Sequence, residues 1–308
     1  MLLSKDGFDV PVLLIAFRRP DLTARVLAAI RLARPQLLYV AIDAARQHLP
    51  AEVKQVDATK EVINSGVDWP CVVKQLHQTS NLGCRLGVEA ALDWFFSFES
   101  EGVILEEDIL PQPSFFPYCR ELLSCYRFDQ NIAAISGASV DPRPGPNSAS
   151  YRFSRFLPVW GWASWRRAWQ NYHRNSLNWP EMRKSTLLSE LGGKHFARVI
   201  SSRLDEVESG CCDTWDYSWF LYNWQAGHLA CVPNVNLVEN IGFRDSRAVH
   251  TKLDLSFLPS PLNLTIPLCH PMNRDVDFAL DRRLFDRLYA PSVWLRAWRR
   301  LVRLSPFR

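Results

Sequence analysis

Short aliphatic runs recur in the first half of the chain, each separated from the next by a helix-length polar stretch. That spacing constrains the fold more than any other feature. Residues 10–17 read VPVLLIAF, 37–42 read LLYVAI, and 102–105 read GVIL. Runs of this length and composition suit strands buried on both faces, the pattern of a parallel sheet covered by helices. Between the first two, Pro20 fits the first turn of a helix. Leu22, Val26, Leu27 and Ile30 line one face of it, and Pro35 ends it. The result is a strand–helix–strand unit with an expected right-handed crossover.

The alternation continues. A polar helix is expected over 51–65, a strand over 72–76, and a helix over 81–98. The strand 102–105 follows, then a helix capped by Ser114 and running to 127, then a strand over 132–136. Residues 141–150 hold three Pro and one Gly and read as a loop. Beyond it the alternation stops, and eight of the twelve Trp fall between Trp160 and Trp224. The expectation is an α/β domain over 8–250. Its ligand-binding half would be 8–140, an irregular Trp-rich half 151–250, and an extension 251–308 would follow.

Composition narrows the class. With 308 residues, 47% hydrophobic and 22% charged, the chain is neither disordered nor collagen-like. A net charge of +4 gives no reason to expect nucleic-acid binding. No apolar run approaches the ~18 residues of a membrane span. Residues 1–9 show no basic start or apolar run of a signal peptide, so the expected compartment is cytoplasmic. Eight Cys without a C-x-x-C pair read as reduced thiols.

Two acidic positions fall where ligands of open parallel sheets bind, just past the carboxyl ends of strands. Asp43 follows the second strand, and Glu106, Glu107 and Asp108 follow the fourth. Three adjacent carboxylates repel one another. A hard divalent cation, Mg²⁺ or Mn²⁺, would relieve that repulsion and hold a diphosphate. A solvated acidic turn is the competing reading. No G-x-G-x-x-G follows the first strand and no G-x-x-x-x-G-K-[ST] occurs, so dinucleotide-binding and P-loop readings are set aside.

In order along the chain, several segments resemble glycosyltransferases of the GT-A fold, the N-acetylglucosaminyltransferase I type and related bacterial sugar transferases. They are VPVLLIAFRRPDLTARVLAAI, LLYVAIDAAR, NLGCRLGVEAAL, GVILEEDILPQPSFFPYCRELL, FLPVWGWASWRRAW, TWDYSWFLYNW and NVNLVENIGFRDSRAVHT. The resemblance implies a Rossmann-like, mostly parallel sheet flanked by helices, with 8–250 as the catalytic domain. It also implies a metal-dependent, inverting transfer of a sugar from a nucleotide-sugar, a UDP-sugar by the nearest likeness, to a glycan or lipid-linked acceptor. Carried over by position, Asp108 becomes the metal ligand, with Glu106 and Glu107 supporting the metal waters and ribose. Asp43 would read the uracil edge, and Arg18 and Arg85 would lie near the nucleotide. Gly161 and Trp162 would line the sugar site, and His250 would contact metal or diphosphate. Asp216 is the expected base. Asp213 is its competitor, because in a helix the two share a face; helix capping is the other reading for both. The family usually shows Glu-Asp-Asp or Asp-x-Asp where this chain has Glu-Glu-Asp. A sugar nucleotidyltransferase and a non-catalytic sugar-binding protein of the same fold are the alternatives.

One further segment stands apart. Over 292–304, Trp294, Leu295, Trp298, Leu301 and Val302 share one helical face, and Arg296, Arg299, Arg300 and Arg303 share the other. That pattern suits an interfacial helix on an anionic membrane face, giving a peripheral association. A terminal helix docked on the catalytic domain is the other reading.

Overall fold

The computed structural model describes residues 7–143, 149–174, 178–243, 245, 247 and 259–289. The expectations for His250 and for 292–304 lie outside these residues.

The expected alternation is present. Strand β1 (Val12–Ala16) leads into helix α1 (Pro20–Ala33), then β2 (Leu37–Ile42), α2 (Pro50–Gly66), β3 (Val72–His77) and α3 (Gly83–Phe98). Next come β4 (Glu101–Glu106), a short β5 (Ile109–Pro111), α4 (Phe115–Cys125) and β6 (Ile132–Ser136). Pro20 occupies the first turn of α1, where its missing N–H costs nothing. The helix stops at Ala33, because Arg34 turns left-handed (φ 51°) ahead of Pro35. Ser114 sits at the start of α4 without capping it; its hydroxyl instead accepts from the Leu264 amide at 2.8 Å.

The second half is far more regular than its composition predicts. It supplies β7 (Tyr151–Ser154), β8 (Trp162–Trp165), α5 (Arg166–Arg174), α6 (Trp179–Met182) and α7 (Leu187–Glu208), the last broken at Gly193. Then follow α8 (Asp216–Ala226), β9 (Leu229–Pro233), β10 (Val238–Asn240) and α9 (Phe278–Leu284), which runs into a π-turn over Phe285–Tyr289. Three of these strands enter the main sheet, whose order is β3-β2-β1-β4-β8-β6-β9-β7. Pairings β1–β2, β1–β4, β2–β3 and β6–β9 are parallel; β4–β8, β6–β8 and β7–β9 are antiparallel. The fold is therefore α/β, a large, mostly parallel mixed sheet flanked by helices on both faces.

Strand alternation divides the core between those faces. Val12 and Leu14 join Val26, Leu27, Ile30, Phe115 and Phe116 on one side. Leu13 joins Tyr39, Leu92, Phe95, Trp162 and Trp219 on the other. Trp162, Trp165 and Trp169 do not share a helix, because the first two bound strand β8 and the third lies in α5. All three are buried. Such aromatic clusters prefer tilted and edge-to-face contacts, and Trp169 meets Trp219 at 5.3 Å and 44°.

Candidate functional site

The site assembles at the carboxyl ends of β1 and β4, where α3 and α8 present their first turns. Strand β4 delivers Glu106 at its last residue, and a two-residue turn carries Glu107 and Asp108 into β5. The three acids separate. Glu107 turns under the β1–α1 connection and is buried. Its carboxylate accepts from the Phe17 amide at 2.7 Å, Arg19 Nε at 2.6 Å and the Thr23 hydroxyl at 3.3 Å. That geometry leaves Glu107 no part in holding metal waters or ribose. It is a clamp on the chain between β1 and α1.

Glu106 and Asp108 are half-buried at the end of β4. Burial and the charge of Asp108 push the Glu106 carboxyl above the usual range, with Asp216 and Glu107 adding to the push and Arg19 opposing it. Asp108 is likewise raised by burial, against the pull of Arg19. The Arg19 guanidinium bridges the pair of neighbours, donating to Glu107 and lying 3.0 Å from Asp108 Oδ2. Burial alone would lower Arg19, but Asp108 and Glu107 outweigh it and hold the cation charged. Gly242 closes over this contact, and a Cβ there would lie 2.2 Å from Asp108 Oδ2. Sequence reasoning singled out Arg18 and missed Arg19, although both stand in FRRP. The Thr23 hydroxyl bonds the Arg19 carbonyl and so fixes the entry to α1.

Arg18 points elsewhere. Its guanidinium pairs with Glu52 at 2.6 Å and donates to the Arg247 carbonyl at 3.3 Å. Asp43 also has another task. Its oxygens receive the amides of Ala44, Leu82 and Gly83 and the side-chain amide of Asn81, at 2.8–3.2 Å. A carboxylate offers about four lone-pair sites, so none remains to accept from a base edge. Burial nonetheless raises the Asp43 carboxyl, with those amides opposing. A cavity of about 140 Å³ adjoins it, lined by Ala45, Val56, Lys60, His77 and Thr79 among others. Neither Glu106 nor Asp108 lines that cavity.

Asp213 completes the job begun by Asp43. It precedes α8, so it shares no helical face with Asp216. Its carboxylate accepts from the amides of Cys84 at 2.8 Å and Arg85 at 3.1 Å. The first four N–H groups of a helix lack internal partners. Here Asp43 and Asp213 take those of Leu82 through Arg85 between them. Arg85 itself lies on this first turn, its Nε 3.7 Å from Glu89 Oε1 and without a hydrogen bond among the described residues.

Asp216 opens α8, held by the Thr214 hydroxyl at 2.6 Å and the Tyr217 amide at 2.9 Å. Its charge reaches Glu106 across the site. The Cys84 thiol registers the whole arrangement. Burial, then the charges of Glu106, Asp216, Asp213 and Asp108, drive it far above the usual thiol range. Four carboxylates thus bear on the Cys84 thiol, and Asp43 adds a fifth to the first turn of α3 through the Gly83 amide.

Gly161 and Trp162 do not line a sugar site. Trp162 is 1% exposed and stacks on Trp215 at 5.7 Å and 24°. Gly161 has φ +58°, and a Cβ would lie 2.8 Å from Val238 Cγ1. It admits the side chains of Val238, Ile109 and Leu105, not a ligand.

The donor set bears on metal binding. Among the described residues no three His, Cys, Asp or Glu side chains gather as a metal-holding group. Glu106 and Asp108 remain, two hard oxygen donors. That number suits Mg²⁺ or Mn²⁺ only when a ligand's phosphate oxygens complete the shell.

No protein-family model matches the chain, and no curated protein does. Among solved structures it is similar to mouse xyloside xylosyltransferase 1 in its apo form, at 12% identity over 71% of this chain and 83% of that one, with a TM-score of 0.35. It is also similar to a UTP-bound UGPase from Acinetobacter baumannii (11%, 71% and 93%, TM-score 0.31). A third is the inositol-1-phosphate CTP transferase from T. maritima (11%, 55% and 76%, TM-score 0.33). Overlaps this slight have no bearing on function, which is argued from the site.

Proposed function

We propose that the chain is a nucleotide-sugar-dependent glycosyltransferase acting by a single, inverting displacement. The observation that carries the reading is the pair Glu106 and Asp108 at the end of β4, with Arg19 3.0 Å from Asp108 and the charge of Asp216, at the start of α8, reaching Glu106. Glu106 and Asp108 would hold a divalent cation together with the donor's diphosphate oxygens. When bound, that ion offsets the charge growing on the leaving nucleotide. Arg19 keeps Asp108 in place and adds a fixed positive charge beside the same oxygens, and Arg85 can reach the diphosphate from α3. Asp216 takes the proton from the incoming acceptor hydroxyl, the role of a general base. The sugar, with UDP as the expected carrier, and the glycan or lipid-linked acceptor belong to this proposal too.

The test is nucleotide release from a panel of nucleotide sugars with Mn²⁺. Asp108→Ala is expected to abolish metal-dependent donor binding. Asp216→Asn is expected to keep donor binding and to lose transfer by about 10²–10⁴-fold, the usual worth of a general base. Full transfer by Asp216→Asn would remove it from the reaction. Diphosphate release from a nucleoside triphosphate and a sugar phosphate would instead mark a nucleotidyltransferase. Sugar binding with no turnover would mark a binding protein.

A further inference from the structure

Asp213 and Asp216 stand three residues apart, but they do different things. The Asp213 carboxylate belongs to α3, where it accepts from Cys84 and Arg85. Against it lies Gly83, whose φ of +80° and whose would-be Cβ, 2.6 Å from Asp213 Oδ2, leave no room for a side chain. Two residues on, Trp215 is buried and stacked on Trp162 of β8. Thr214 sits between these two fixed points, and its hydroxyl donates to Asp216 Oδ1 at 2.6 Å. The same oxygen accepts the Tyr217 amide, so the unit formed by Asp213, Thr214 and Trp215 sets where the Asp216 carboxylate lies.

We infer that Asp213 is a positioning residue, a staple joining the α7–α8 connection to the first turn of α3 so that Asp216 faces Glu106 and Asp108. The inference rests on the transferase reading for the identity of Asp216 as base, but the staple itself does not. It also separates the two acids by role. A base must give and take a proton, whereas Asp213 only accepts, with Oδ2 toward Cys84 and Oδ1 toward Arg85, and Asn keeps one of those two acceptor oxygens.

Two measurements on the full chain test it. The first is amide hydrogen exchange at Cys84, Arg85 and Tyr217. Asp213→Ala is expected to lose protection at all three, and Asp213→Asn, with one acceptor oxygen left, to keep it at Tyr217 and at one of Cys84 and Arg85. Gly83→Ala, which drives a methyl into the same carboxylate, is expected to resemble Asp213→Ala. Unchanged exchange at Tyr217 in Asp213→Ala would overturn the inference, because the cap would then be purely local. The second is nucleotide release from UDP-sugars with Mn²⁺. Asp213→Ala is expected to lower kcat by about 10²-fold, the cost of displacing a reacting group by about 1 Å. Asp213→Asn, which keeps one of the two acceptor oxygens, is expected to lose less. Equal inactivity of the two variants, with native exchange at Tyr217 in Asp213→Asn, would make Asp213 the base and overturn the assignment. An inactive native chain would count against the transferase reading alone, and the exchange at Tyr217 would then decide the staple.

Discussion

Glu107 shows how much one position along a strand end can decide. Side chains at successive strand positions point to opposite faces, so Glu106 and Glu107 diverge although the sequence presents them as one acidic cluster. Repulsion within the cluster, which suggests a metal when read from the sequence, is met at Glu107 and Asp108 by Arg19 and persists at Glu106. The strand itself and its acids were legible. The partner was not, because Arg19 is 88 residues away and is joined to Glu107 only by the β1–β4 pairing. Breaking a buried, hydrogen-bonded charge pair costs about 3 kcal/mol or more. Glu107→Gln is therefore expected to lower Tm by about 5 °C, as thermal unfolding would show. A Tm within about 1 °C of the native value would contradict the clamp.

Among the elements, β1, β2, β4, α1, α3 and α4 were readable from their apolar runs and stripes, whereas β3 (VVKQLH) and the polar α2 were readable only from their places in the alternation. Trp162, Trp165 and Trp169 stand at helical spacing, but a strand passes straight into α5 there and the 3.6-residue period is a coincidence across the junction. The α2 N-terminus offers an element-scale test. Glu52 is buried there and accepts from Arg46 Nε at 2.9 Å and from Arg18 at 2.6 Å. Hydrogen bonding from Arg46, outweighing burial, brings its carboxyl from 4.5 down to about 2. A depressed folded value means that the stabilisation is complete above pH 4.5 and is lost as the pH falls toward about 2. Glu52→Gln is expected to cost about 2 kcal/mol at pH 7. The gap to the native chain should shrink through that acid window. A gap that stays constant with pH, measured by denaturant unfolding, would refute the pairing.

At the scale of the molecule, the two halves distinguished by composition share one sheet. Strand β8 of the second half lies between β4 and β6 of the first, pairing Ile104 with Trp162 and Ile135 with Ala163. A fragment ending at residue 140 would lack that strand and is expected to be insoluble or to bind a hydrophobic dye, whereas a soluble, cooperatively unfolding fragment would show that the first half is a domain. Among the described residues no helix is long and apolar enough to cross a membrane. The basic stretch 292–304 lies outside the described residues, and its membrane role is a proposal from the sequence. Deletion of 292–308 is expected to release the chain from anionic vesicles, and unchanged sedimentation with them would refute it.

The place of β8 has a consequence for how the protein is made. A ribosome that has just delivered β4 and β6 leaves both with bare hydrogen-bonding edges until Trp165 emerges, and β9 arrives later still. Unpaired strand edges recruit other chains. Slow synthesis across the Pro-rich stretch 141–150 would lengthen that window, so a nascent chain of this kind gains most from a chaperone that binds before its second half appears.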